Sequence, residues 1–253
     1  MGKVICRFCN INGEKSKEHI WPRWLQKHLI GNTKSHFKGI HLGMPFGTIS
    51  ERNQSGESLV YGNICTICNN GWMAELENKF RPIYLEIESD YNKIKHLSKS
   101  ERRVICLWGL KTAMMINAGT NYRQIIPDSH FNHLFKYREL PKDIKVDICF
   151  FESDSLLMWN QSNISFESFK TTDYEKSDPY DLRNNSYVIS LQINKIGIKI
   201  IHYHGLKEKK YQIPLDKNES NIRIWPYQKN ESFKLTNPYD SISSFHINTR
   251  MEK

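Results

Sequence analysis

Apolar positions first recur at helical spacing in PRWLQKHLI, where Trp24, Leu25, His28 and Leu29 form one stripe. Pro22 suits the first turn of such a helix, and Gly31-Asn32 ends it. From Ser35 to Asn63 the chain turns to Gly, Ser and Thr with short apolar pieces, which predicts an irregular hairpin. NNGWMAELENKF predicts a helix with Trp72, Leu76 and Phe80 on one face and Pro82 as its stop. A further helix is predicted over 83–96, ahead of the polar break SKSER. Residues 100–118 carry the clearest helical run, with a Ser cap and an early acid. Its apolar face is Val104, Leu107, Trp108, Met114 and Met115, a stripe that reads as core packing, and Gly119 stops it.

Beyond that helix the period changes. IKVDICFF, SYVISLQI, IGIKIIHYH and NIRIWPYQ are β-rich and separated by Asn, Ser, Asp and Lys clusters, which predicts a mainly antiparallel sheet region. The pattern is that of an α+β chain. Residues 1–82 carry the unusual motifs, and residues 83–253 are helical and then β-rich. No internal repeat is present.

At 253 residues the chain is long enough for one large domain or two small ones. No apolar run approaches the ~20 residues that span a bilayer. The start MGKVICRFCN has no apolar core of a signal peptide, and Arg7 breaks the myristoylation pattern that Gly2 suggests. The expectation is a soluble, cytoplasmic protein with no membrane partner. Lys and Arg number 36 against 27 Asp and Glu, a net charge of +9, which favours a polyanionic partner, nucleic acid first. No basic amphipathic helix favours an acidic lipid surface instead.

The six cysteines sharpen this. Cys6-Arg-Phe-Cys9 and Cys65-Thr-Ile-Cys68 are two identical frames, which read as one tetrahedral four-thiolate Zn²⁺ site. The alternative, a redox C-x-x-C, normally stands alone before a helix in a βαβ unit. Cys106 and Cys149 sit in apolar surroundings and read as core residues. His202 and His204 have H-x-H spacing on a predicted strand, but without a third ligand they read as ordinary strand residues.

One zinc bound by both knuckles would draw the segment after Cys9 toward the helix after Cys68. That brings the Glu18-His19 pair of SKEHIWP within reach of Asn69 in CNNGWM. The order C-x-x-C, acid-His-Ile-x-Pro, then C-x-x-C-Asn at a helix start resembles the HNH endonuclease family, in its zinc-stapled ββα-metal branch. The resemblance covers about residues 4–82. It implies a two-stranded ribbon and a helix gripping one divalent cation, and hydrolysis of phosphodiester bonds in DNA, with RNA left open.

By that resemblance His19 is the general base, and Glu18 stands where the family usually has a metal-binding aspartate. Asn69 takes the third position, with Asn70 as the fallback. Oxygen ligation by Glu18 and Asn69 suits Mg²⁺ or Mn²⁺. Adjacent strand residues face opposite ways, so Glu18 and His19 can share a site only where the backbone is irregular. Pro22 restricts Trp21 nearby and makes room for such a break. The chain departs from the family at Val60, which holds the place of the middle asparagine, and at Trp72, which replaces a usual lysine. Asn63 could serve for the asparagine only through a rearranged loop.

The first reading is therefore a metal-dependent nuclease whose C-terminal region recognises DNA, positions it or forms a homodimer; the resemblance alone implies a setting in phage defence or a mobile element. The alternatives are a non-catalytic zinc module that binds nucleic acid and a zinc-stabilised protein-interaction adaptor.

Overall fold

The computed structural model describes residues 2–31, 36–43, 47–55, 60–119, 124–153, 155–163, 186–202, 220–227 and 233–247. Its contacts divide the chain into two compact units, residues 1–37 with 53–141, and residues 38–52 with 142–253. It is a mixed α+β protein with mainly antiparallel sheets. No helix among the described residues is long and apolar enough to cross a membrane.

The first unit begins with β1 (Lys3–Ile5), β2 (Asn12–His19) and α1 (Arg23–Ile30). The chain leaves it through β3 (His36–Gly43) and β4 (Gly47–Ser55), which join the sheet of the second unit, and returns as β5 (Val60–Cys65). The stretch expected to be an irregular hairpin thus contains three strands. β5 pairs antiparallel with β2, and the order of this small sheet is β1-β2-β5.

After β5 come a single turn α2 (Thr66–Cys68), a π turn Asn69–Met73 and α3 (Ala74–Ser89). Trp72, Leu76 and Phe80 are buried, as their spacing required. Pro82, however, lies inside α3 and does not stop it. Phe80, Ile83, Tyr84 and Ile87 are all buried, so packing on both sides of the proline outweighs the lost backbone bond. The helix expected over 83–96 is instead the end of α3, an extended Asp90 and a 3₁₀ turn over Tyr91–His96.

α4 (Lys99–Gly119) is the central element. Ser98 and Glu101 cap it reciprocally: the Glu101 N–H donates to Ser98 Oγ (3.2 Å) and the Ser98 N–H to Glu101 Oε2 (2.6 Å). From Ile105 to Asn117 every residue but Leu107 is buried, so the helix is enclosed rather than one-faced. Val104 and Leu107, expected in the core stripe, are only half-buried. Trp108 stacks on Phe80 of α3 with centroids 3.8 Å apart. Gly119 runs close to the end of β2, where a Cβ would meet Ile20 Cδ1 at 2.9 Å. α5 (Asp128–Tyr137) completes the unit, and its Asp128 accepts from Arg7 (2.8 Å).

The second unit is a seven-stranded sheet in the order β10-β6-β9-β8-β7-β3-β4. Its strands include β6 (Ile144–Phe150), β7 (Leu157–Asn163), β8 (Tyr187–Ile193), β9 (Ile196–His202) and β10 (Asn221–Trp225). β8 and β9 are joined at Asn194-Lys195, and Asn194 takes the positive φ of 51° that such a two-residue hairpin needs. α6 (Ile242–Ile247) packs on β7, β8 and β9. There His246 sits between the hydroxyls of Ser162 (2.8 Å) and Ser190 (2.9 Å), and a buried Arg223–Asp147 pair ties β10 to β6. His202 is buried beside Tyr187, and His204 lies outside the described residues.

Candidate metal centre and the adjoining polar cluster

The two C-x-x-C frames converge. Cys6 and Cys9 lie on the turn between β1 and β2, which Asn10 completes at a positive φ of 57°. The Asn10 N–H donates to the Cys6 carbonyl (2.8 Å) and the Arg7 N–H to that of Asn63 in β5 (3.0 Å), so the first knuckle is fastened to the strand that carries the second. Cys65 ends β5, Cys68 ends α2, and the Cys68 N–H points at Cys65 Sγ (3.4 Å). Close packing also fixes this corner, because a Cβ on Gly13 would lie 3.0 Å from Cys65 Cβ.

The four sulfur atoms of Cys6, Cys9, Cys65 and Cys68 all lie within 4.8 Å of one another. Zn–S bonds of about 2.3 Å in a tetrahedron put sulfurs roughly 3.8 Å apart, and Cys9 Sγ and Cys65 Sγ are 3.8 Å apart. The donor set can therefore hold one metal ion such as zinc. A hydrogen bond from Cys68 pulls the Cys6 thiol down to about 4, and the same contact pushes Cys68 up, so the crowded pair resists ionising together. A dication would relieve that crowding. Among the described residues this is the only group of three or more His, Cys, Asp or Glu side chains set to hold a metal.

Directly after this centre, Asn69 opens the π turn and reaches β2. Its amide donates to Ser16 Oγ (2.6 Å) and favours the ionised form of the nearby Glu18 carboxyl. Ser16 and Glu18 are two apart in β2 and so share a face. Between them the pairing with β5 slips: Ser16 stands opposite Ile64, but Glu18 opposite Tyr61 and His19 opposite Val60. The extra β5 residue makes the backbone irregular beside the Glu18-His19 pair. His19 is half-buried, whereas Lys17 is exposed. Asn63 lies at the slip with its side chain exposed, and Asn70 is exposed as well.

Sequence reasoning passed over the strongest charge in this cluster. Lys111 of α4 is fully buried, with Nζ 3.8 Å from Glu18 Oε1 and in a short contact with Glu77 Oε1 of α3. Trp24 Nε1 donates to the other Glu77 oxygen (3.3 Å). Burial raises the Glu18 carboxyl above the usual carboxylate range, with Glu77 adding to the rise, while Lys111 and the Asn69 amide oppose it. Burial alone would depress the Lys111 ammonium, yet the two carboxylates lift it above its ordinary value. Two carboxylates against one ammonium leave one negative charge beside Asn69. The missed signal was a lysine three or four residues from Leu107, Trp108, Met114 and Met115, on a face otherwise apolar.

Comparison with models of protein families, with curated proteins and with solved structures finds no match to this chain.

Proposed function

We propose that this chain is a metal-dependent nuclease of the HNH type, with zinc held by Cys6, Cys9, Cys65 and Cys68. Its reactive site would comprise His19, Glu18 and Asn69. The observation that carries the reading is the hydrogen bond from Asn69, one residue after the last cysteine, to Ser16 Oγ (2.6 Å) on the face of β2 that also carries Glu18. The slipped β2–β5 pairing beside His19 and the net charge of +9 support it. So does the succession of β2, β5 and a helix, which has the order of a ββα unit.

In this reading a neutral His19 takes the proton from the attacking water, which suits an imidazole near neutral pH. Glu18 and Asn69, the latter with its amide turned so that the oxygen rather than the donating nitrogen faces β2, would hold one Mg²⁺ or Mn²⁺, hard ions that prefer oxygen. When bound, that cation would supply charge stabilisation for the phosphate and the departing 3′ oxygen. Lys111 opposes the rise that burial imposes on the Glu18 carboxyl, and the basic surface holds the nucleic acid, DNA in the first instance.

The test is nicking of supercoiled plasmid with Mg²⁺ or Mn²⁺. His19→Ala should lower the rate by about 10²–10⁴-fold, the worth of a general base, with zinc content and DNA binding nearly unchanged. Equal nicking by the variant would remove His19 from the mechanism. One observation favours a second reading, a nucleic-acid-binding zinc module without catalysis: Lys111 already neutralises part of the charge a cation would need. DNA binding with no nicking by the native chain under either metal would select it.

A further inference from the structure

A cavity of about 470 Å³ opens in the first unit among the π turn, α3, α4 and the end of α5. It exists because the first two turns of α4 are less enclosed than the rest of that helix. Val104 and Leu107 are half-buried there and, with Leu76 and Leu134, form an apolar floor. Three cations border it, Lys79, Arg103 and Arg138, against the single carboxylate of Glu75. None of these residues belongs to the cysteine centre or to the Glu18 cluster.

The arginines are held in place. Arg138 ends α5 in the left-handed region (φ 54°), and its guanidinium lies over the rings of Trp72 (4.7 Å) and Phe135 (4.8 Å). Arg103 donates to the Arg138 carbonyl (3.1 Å). The pairing of Arg103 with Glu139 at 3.6 Å is between exposed side chains and holds the cation weakly. Lys79 is exposed and has no ion pair among the described residues.

We infer that this cavity binds a nucleoside monophosphate unit, with the base on the apolar floor beside Trp72 and Arg138 and the phosphate at Arg103 and Lys79. Three observations carry the choice of ligand. The excess of two positive charges calls for an anion. The apolar floor calls for a body that leaves water, and the volume is within the usual range for a small-molecule site. The Arg138 guanidinium, held over the Trp72 and Phe135 rings, borders the cavity with N–H donors that match the ring nitrogens and carbonyls of a base, acceptors an alkyl chain lacks. Arginine also matches the oxygens of a phosphate in a fixed fork. The unit can come from a free nucleotide or from the end of a single strand.

Calorimetric titration of the full, zinc-loaded chain with 5′-AMP, a 5′-phosphorylated oligodeoxyadenylate, adenosine, inorganic phosphate and octanoate tests this. At least one of the two phosphorylated nucleotide probes should bind. Arg103→Ala, and separately Leu107→Trp, which fills the cavity, should each weaken that binding tenfold or more with zinc content and helical signal intact. His19→Ala should bind like the native chain, so loss of nuclease activity and loss of this site are read independently. Binding of the oligonucleotide alone assigns the site to nucleic-acid ends, and binding of 5′-AMP as well assigns it to free nucleotides. No binding of either probe at millimolar concentration overturns the proposal. So does binding that both cavity variants leave unchanged, or octanoate binding more tightly than both.

Discussion

Lys111 is fully buried between two carboxylates. Deleting one partner of a buried charge group strands the others, which costs about 3–5 kcal/mol, more than the group itself contributes net. Lys111→Met should therefore lower the unfolding free energy by about that amount in urea denaturation. Lys111→Met combined with Glu77→Gln should cost less than the single change, because a neutral amide replaces one of the two stranded carboxylates. A double variant as unstable as the sum of its singles would show that the three groups are not coupled. At this scale the sequence was uneven. The cysteine quartet was legible because thiolate zinc chemistry demands four ligands in short frames. Glu18 and Asn69 could be paired only through that staple. Lys111 and Glu77 were not legible, since nothing in LWGLKTAMM or AELENKF announces which distant helix each will face.

At the scale of elements, α3 runs through a proline. Pro82 is exposed, lacks the N–H for one helical bond, and its ring crowds the carbonyl of Asn78. The helix survives because Trp24, Phe80 and Tyr84 pack ring on ring across it, with Trp24–Tyr84 centroids at 5.9 Å and Phe80–Tyr84 at 6.0 Å. Pro82→Ala should therefore stabilise the protein, by about 1–3 kcal/mol, seen as a higher thermal midpoint. A lower midpoint would mean that the proline is tuned to a bend the packing requires. The rule that a proline ends a helix is local, and tertiary burial overrode it. The same limit hid β3 and β7. HFKGIHLG and LMWNQSN hold few β-branched residues; they pair with each other in parallel, and β7 pairs along its length with β8, partners that no local pattern encodes. β6, β8, β9 and β10 were legible because Ile and Val dominate them.

At the scale of the whole chain, the two units differ in what holds them. The second has a core of its own, with Phe151, Tyr239, Ile242 and Phe245 packed on Cys149 and β8 and β9 buried along their length. The first closes its small sheet through Cys6, Cys9, Cys65 and Cys68, joining segments 56 residues apart at Cys9 and Cys65. Structural zinc sites contribute about 10–16 kcal/mol of apparent binding energy in small peptides. That is comparable to the whole stability of a typical domain, about 5–15 kcal/mol. Removing the metal should thus unfold the first unit and spare the second. Among the described residues the helices lie overwhelmingly in the first unit, so a strong chelator should abolish their helical circular-dichroism signal while the β signal persists. On heating, the metal-loaded chain should show one transition that moves with free zinc concentration and one that does not. Phe8 would report the first by fluorescence, since it packs edge-on against Trp72 (5.4 Å) beside Cys68, and its replacement should change the Trp72 environment only while metal is bound. If chelation leaves the helical signal and both transitions unchanged, the four cysteines are packed thiols and the first unit stands on its apolar core around α4.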